Sequence, residues 1–229
     1  MIPENLLLAK LPPEEWERLR PHVTDVQMNL HDILVKPYET IRDVWFPIDL
    51  LASLVTVLED GSTVEAGSVG REGMVGVPVL LDAQTTPMQT VVQVPGRAYR
   101  VSADVVKKLY DERGFFHTMM NRYTHTLFVI AAQSTACNRK HEIEARLARW
   151  LLVSSDGVGS SEVAITHEYL AAMLGVRRPG VTEAALKLQQ AGTIDYRRGG
   201  VTILHREALE KAACECYARM RDEMARLLG

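Results

Sequence analysis

Hydrophobic positions change their period along the chain. Between residues 23 and 101 they come in short valine-rich runs, at 23–28, 44–46, 54–58, 64–69, 89–94 and 97–101. Turn residues such as Glu59-Asp60-Gly61-Ser62 and Pro95-Gly96 divide them. Many short strands at such intervals predict a sandwich or closed barrel. Gly61, Gly67, Gly70, Gly73, Gly76 and Gly96 stand where corners and tight turns need backbone freedom. From residue 103 to 152 proline is absent and Gly114 is the lone glycine. There Phe116, Met120, Tyr123, Leu127, Ile130, Ser134 and Cys137 recur at spacings of 4, 3, 4, 3, 4 and 3. That heptad seam predicts one long helix with a partner helix against it, hence a dimerisation surface. A second apolar set, Phe115, Met119, Phe128, Ala131 and Ala132, leaves a face for packing on the chain's own core. Residues 138–142 form a polar break suited to a hinge. A further amphipathic helix is expected over 144–153, and 154–161 (SSDGVGSS) has the composition of a loop.

The next segment is punctuated residue by residue. Thr166 is an N-cap type, Leu170, Met173 and Leu174 share a face, and Gly175 ends the helix. A second helix follows over 176–190, with Pro179 in its first turn, where amide hydrogens have no intrahelical partner anyway. Ala171 is small where the helices approach, and Val181 plugs the angle between them. Residues 193–196 and 201–204 then pair as a hairpin around Arg197-Arg198-Gly199-Gly200. Helix, tight turn, helix and basic hairpin predict a winged helix-turn-helix.

Charge sharpens the picture. Residues 139–229 hold 14 lysines and arginines against 12 acids, whereas residues 1–138 hold 12 against 17. A polyanion site confined to the C-terminal end fits this asymmetry. Arg178, Thr182 and Glu183 are candidates for base edges: arginine to guanine, the carboxylate to a cytosine amino group. Arg177, Lys187, Arg197, Arg198, Thr166 and His167 are candidates for phosphates.

From about residue 10 to the C-terminus the chain resembles the Crp/Fnr family of bacterial transcription regulators. The resemblance rests on Trp45-Phe46-Pro47, Asp60-Gly61, the run Gly70-Arg-Glu-Gly-Met-Val-Gly76, the long helix, and Ile165-Thr-His-Glu-Tyr-Leu-Ala-Ala-Met-Leu-Gly-Val176. It implies an α+β chain. An N-terminal jelly-roll β-barrel of the cyclic-nucleotide-binding type and a dimerisation helix would occupy residues 1–138, and a winged helix-turn-helix residues 139–229. It implies a homodimer (through Phe116, Met120, Tyr123, Leu127, Ile130 and Ser134) on pseudo-palindromic double-stranded DNA, in contact with RNA polymerase.

The sensor cassette departs from the family pattern. Cyclic-nucleotide-binding members have a glutamate after a glycine, then an arginine and a serine. Aligning the candidate effector segment on that cassette puts Val77 after Gly76, and Pro87 and Met88 at the phosphate-binding places. A buried phosphate without an arginine is several kcal/mol short of compensation. A neutral or apolar ligand, filled space, or no effector is therefore expected.

Residues 1–136 contain no cysteine, which argues against the family's iron–sulfur branch. Cys214-Glu-Cys216 is one CxC pair without a second nearby, and His117, His125 and His141 form no i, i+4 histidine pair. Buried thiols, with no metal and no cofactor, are the expectation. No GxSxG, HExxH or P-loop occurs, so nothing argues for an enzyme. At 47% hydrophobic and 24% charged residues, with no run near the length of a membrane span, the chain reads as a globular cytoplasmic protein without a disulfide framework. The alternative is a ligand-sensing or protein-interaction module whose winged helix docks on protein.

Overall fold

The computed structural model describes residues 2–61, 63–197 and 199–228, apart from the side chains of His167 and Leu228. A short helix α1 (Pro13–Leu19) precedes the strands β1 (Thr24–Met28), β2 (Ile33–Val35), β3 (Asp43–Pro47), β4 (Leu51–Val57), β5 (Thr63–Val69), β6 (Gln89–Val94) and β7 (Gly96–Ser102). Helices α2 (Ala103–Asp111), α3 (Phe115–Lys140) and α4 (Ile143–Val158) follow, then β8 (Glu162–Val163). The rest is α5 (His167–Leu174), α6 (Arg178–Gln190), β9 (Ile194–Arg197), β10 (Gly200–Ile203), α7 (Arg206–Ala212) and α8 (Cys216–Leu228).

The N-terminal strands form two antiparallel sheets, ordered β1-β7-β3 and β2-β6-β4-β5. They make a jelly roll that does not close into a barrel. Its core joins Phe46, Leu50, Ala52, Val69, Val92 and Ala98 to Trp16 and Leu19 of α1. β4 reads almost continuously apolar because both of its faces are covered. Ala52 faces the roll's interior, while Leu51 and Val55 belong to a second core with α4. The expected strands are present with ends shifted by up to three residues. β2 was not legible, being three residues long and only partly buried. Among the described residues no helix is long and apolar enough to cross a membrane.

The long helix is present, but its seam turns inward. Phe116, Met120 and Tyr123 are buried in the roll's core, and the Tyr123 hydroxyl donates to the Met74 carbonyl at 3.1 Å. Leu127 packs on the same core, and Cys137 is buried beside α8. The opposite face stays in solvent, with Asn121, His125, Phe128, Ala132 and Thr135 exposed at heptad spacing.

The stretch 154–161 is not a loop throughout. α4 continues to Val158, with Ser154, Ser155 and Gly157 buried. Its glycine is there for contact: a Cβ on Gly70 would lie 2.3 Å from the Gly157 Cα. The Arg71 amide then donates to the Gly157 carbonyl at 2.8 Å. Gly159, at φ +73°, ends the helix. Gly70 is thus a close-approach residue rather than a positive-φ turn, and only Gly61 and Gly76 of the six roll glycines have positive φ.

A Gly70→Ala substitution should therefore destabilise the chain by about 1–3 kcal/mol, the usual range for an overpacked site. Urea unfolding checks this; an unchanged midpoint would mean that the two backbones separate freely.

Candidate nucleic-acid interface

The helix pair is built by local rules. The Thr166 hydroxyl accepts the Tyr169 amide at 3.3 Å and caps α5. At the other end Gly175 takes φ +61°, so that its amide reaches the Ala172 carbonyl at 3.1 Å and the Val176 amide reaches Ala171 at 3.0 Å. This double closure turns the chain sharply without orphaning the last carbonyls. α6 then starts with Pro179 in its first turn. Leu170, Ala171, Leu174, Val181, Ala184, Ala185 and Leu188 bury the facing sides of the two helices. β8 joins β10 and β9 as a three-stranded wing sheet, Val201 pairing with both Val163 and Tyr196.

Packing on one side leaves the other side of α6 in water. Arg177, Arg178, Glu183 and Lys187 are exposed there, with Thr182 half-buried. The Thr182 hydroxyl donates to the Arg178 carbonyl at 3.1 Å. Glu183 and Lys187 form an i, i+4 ion pair at 3.0 Å, which raises the lysine's pKa. On the wing, Arg197 pairs with Asp195 at 2.8 Å. Among the described residues Arg177 and Arg178 form no ion pair. Arg198 and the His167 side chain lie outside the described residues. The described contact candidates thus lie on the outer face of α6 and its N-cap, on one wing strand and at the N-cap of α5.

Nothing in the sequence alone marks Arg146, yet it holds this face in position. It is buried on α4, where one Nη2 donates to both the Leu174 carbonyl at the end of α5 and Asn138 Oδ1 on α3, the latter at 3.0 Å. A charged donor thereby satisfies a C-terminal helix carbonyl where the helix dipole is negative. It also ties the helix pair to the long helix. Tyr169 of α5 meets the His31 ring of the roll at a centroid distance of 5.7 Å.

The expected effector segment lies apart from the largest-volume cavity described below. Gly76, at φ +106°, precedes a 3-10 turn over Val77–Leu81, and Pro87 is exposed. None of Gly76, Val77, Pro87 and Met88 lines the half-open cavity of about 590 Å³ found elsewhere in the fold. That cavity lies between β5, α3, α4 and the C-terminal helices, with Glu65, Glu72, Arg149, Trp150 and Tyr217 in its wall. Ser53 donates to Glu65 at 2.6 Å, and the Gly70 amide donates to Glu72 at 3.0 Å. Burial nonetheless raises the pKa of both carboxyl groups, against the charges of Arg149 and Arg71.

A second group of side chains converges at the hinge. Cys137, His141, Cys214 and Cys216 bring their ligand atoms within 4.8 Å of one another. The CxC pair therefore does have a further thiol and an imidazole nearby, from the last turn of α3 and the residue that caps it.

Residues 145–212 match the family model described as the Crp-like helix-turn-helix domain. Among solved structures the chain is similar to a CRP-family transcriptional regulator from Thermus thermophilus, at TM-score 0.67 and 18% identity over 82% of this chain and 96% of that one. It is similar to the c-di-GMP-responsive global regulator CLP of Xanthomonas campestris, at TM-score 0.66 and 14% identity over 84% and 99%. A third likeness is to FixK2 of Bradyrhizobium japonicum, at TM-score 0.68 and 11% identity over 84% and 98%. No curated protein matches the chain in sequence.

The raised carboxyls carry a pH dependence. Folded protein holds the Glu65 proton more tightly than unfolded protein does. The stabilisation from that proton is complete below the unfolded glutamate pKa, about 4.3, and is lost as pH rises through the higher folded value. Glu65→Gln keeps a neutral group in place, so its stability relative to the unmodified chain should grow as pH rises. Urea midpoints across that range check it, and a constant difference would show that Glu65 ionises as freely folded as unfolded.

Proposed function

We infer that this chain, which joins a Crp-like helix-turn-helix domain to a jelly roll in the fold of the Crp/Fnr regulators, binds two-fold DNA operators as a homodimer and regulates transcription. The observation that carries this reading is the division of α6. Its inner face is wholly occupied by packing, and its outer face presents Arg177, Arg178, Glu183 and Lys187 beside a basic wing. In the major groove Arg178 addresses guanine, and Glu183 and Thr182 address neighbouring bases. Arg177, Lys187 and Thr166, with His167, hold phosphates around the groove, and Arg197 and Arg198 hold the backbone beside it.

The dimer forms through the exposed face of α3, not through its heptad seam. Phe128 is 74% exposed, and His125 and Ala132 flank it on the same stripe. An aromatic ring left in water at the middle of a long helix is what a two-fold partner helix covers. Leu127 is already packed on the roll and Ile130 on the cavity, so charges there would injure the protomer first. As a regulator the dimer acts through RNA polymerase. Its effector is not a cyclic nucleotide held in the family's usual way, since Val77, Pro87 and Met88 offer a phosphate no guanidinium and no hydroxyl.

Operators recovered from genomic DNA by the purified protein allow the test. Affinity should fall steeply with salt. Arg178→Ala should cost about 1–3 kcal/mol and relax preference at one position, whereas Arg197→Ala should weaken all sequences alike and reduce the salt slope by about 1. Retention of a protein partner without salt-dependent DNA binding would favour the protein-docking alternative.

Phe128→Glu should give monomers by light scattering, with an unchanged far-UV spectrum, a melting temperature that no longer depends on protein concentration, and weakened operator binding. A Phe128→Glu protein that stays dimeric at micromolar concentration would place the two-fold axis elsewhere.

A further inference from the structure

All three cysteines of the chain meet at one point, although Cys137 is 77 residues from Cys214. Cys137 sits in the last turn of α3, and His141 follows the helix end at i+4, on the same side. Cys214 lies in the turn between α7 and α8, and Cys216 opens α8. The Cys137 and Cys214 sulfurs are 3.5 Å apart, and Cys216 Sγ is 3.5 Å from His141 Nδ1. A tetrahedral ion with bonds of about 2.3 Å to sulfur and 2.0–2.1 Å to nitrogen has ligand–ligand edges of about 3.5–3.8 Å. Two of the six edges already have that length, and all four atoms lie within 4.8 Å of one another, so a small inward adjustment of side chains completes the site.

Three surrounding features fit the same chemistry. First, the far nitrogen of His141, Nε2, is 3.1 Å from Glu215 Oε2. A proton on Nε2, donated to this carboxylate, leaves the Nδ1 lone pair aimed at the sulfurs, the arrangement that orients metal-bound histidines. Second, Gln133 Nε2 donates to Cys216 Sγ at 3.0 Å, a hydrogen bond suited to a thiolate. Third, Arg146 and Arg149 on α4 are buried close enough for their charges to act on the cluster, and each has an Nε without a hydrogen-bond partner among the described residues. A divalent ion on three thiolates and a neutral imidazole has one net negative charge, a counter-charge for these cations. The backbone holds the frame: the His141 amide donates to the Cys137 carbonyl at 3.1 Å, and the Cys214 amide to Ala145 at 3.4 Å.

We propose that Cys137, His141, Cys214 and Cys216 form a closed binding site for a thiophilic divalent cation of the zinc class. The site does not depend on the DNA-binding reading. Four protein ligands leave no open position, so the ion is structural in kind and fastens the end of α3 to the start of α8. Loading displaces three thiol protons, one from each cysteine, and none from a neutral His141. Binding therefore weakens as pH falls.

Cobalt tests this in the full-length chain, reduced with a phosphine under anaerobic conditions. One equivalent per chain should give the intense visible bands of tetrahedral thiolate-bound cobalt, and zinc should displace it. Zinc should also protect the three thiols from alkylation. Cys214→Ser should reduce the thiolate charge-transfer intensity. Glu215 is 59% exposed, so Glu215→Gln keeps the fold. It should weaken cobalt binding roughly 10- to 100-fold, as loss of an orienting partner does. Weak octahedral bands, no saturation at one equivalent, or thiols that alkylate equally fast with and without zinc would overturn the proposal. So would cobalt affinities unchanged in both variants.

Discussion

Two glycines in backbone contact set the geometry of the molecule. Gly70 directly follows β5 and Gly157 lies in the final turn of α4, with no side chain between them. Any Cβ on Gly70 would drive the chains apart, because its nearest neighbours are main-chain atoms that cannot rotate away. The contact brings Leu51, Val55 and Val94 of the roll into the same core as Leu147, Leu151 and Leu170. α4 is thereby fixed, and through Arg146 so is the end of α5. The outward face of α6 follows from that sequence of contacts.

The parts of the chain that can be read locally are those that fold by local rules. The helix pair is legible because Thr166, Gly175 and Pro179 act within a turn of themselves. The strands are legible because valine runs between turn residues have few other uses. The α3 seam is a different case. Its period is right, but a heptad states only that one face is covered, not by what. Here the roll and α8 cover it, and the exposed face carries Phe128. The end of α4 was illegible for the converse reason: Ser154, Ser155 and Gly157 have loop composition, yet all three are buried in the helix, Gly157 against a glycine far away in sequence. The hinge cluster was hidden by sequence distance. The CxC pair looks solitary until the fold brings α3 to it, and a search for paired histidines passes over Cys137 with His141.

The same few residues at the end of α3 face in two directions. Asn138 accepts from Arg146, which caps the helix before the turn. Cys137 and His141, one residue before it and three after, face α8. Orientation of the helix pair and closure of the C-terminal helix thus share one helix end. The packing is stiff there, since the three cysteines are buried and Tyr217 of α8 is itself tied to Asp156 of α4 at 2.8 Å.

On the DNA-binding reading proposed above, the ion pairs of α6 and the wing bear on how a target is found. Lys187 is held by Glu183 and Arg197 by Asp195, so two of their cations are partly neutralised before any nucleic acid arrives. Attraction to arbitrary duplex comes almost entirely from uncompensated positive charge. A face tempered in this way lingers little on random sequence. Such exposed pairs are worth at most about 1 kcal/mol, so a matching site that engages Glu183 or frees Lys187 opens them at small cost. On that reading random duplex competes less well, and fewer copies of the protein are idle on it at any moment.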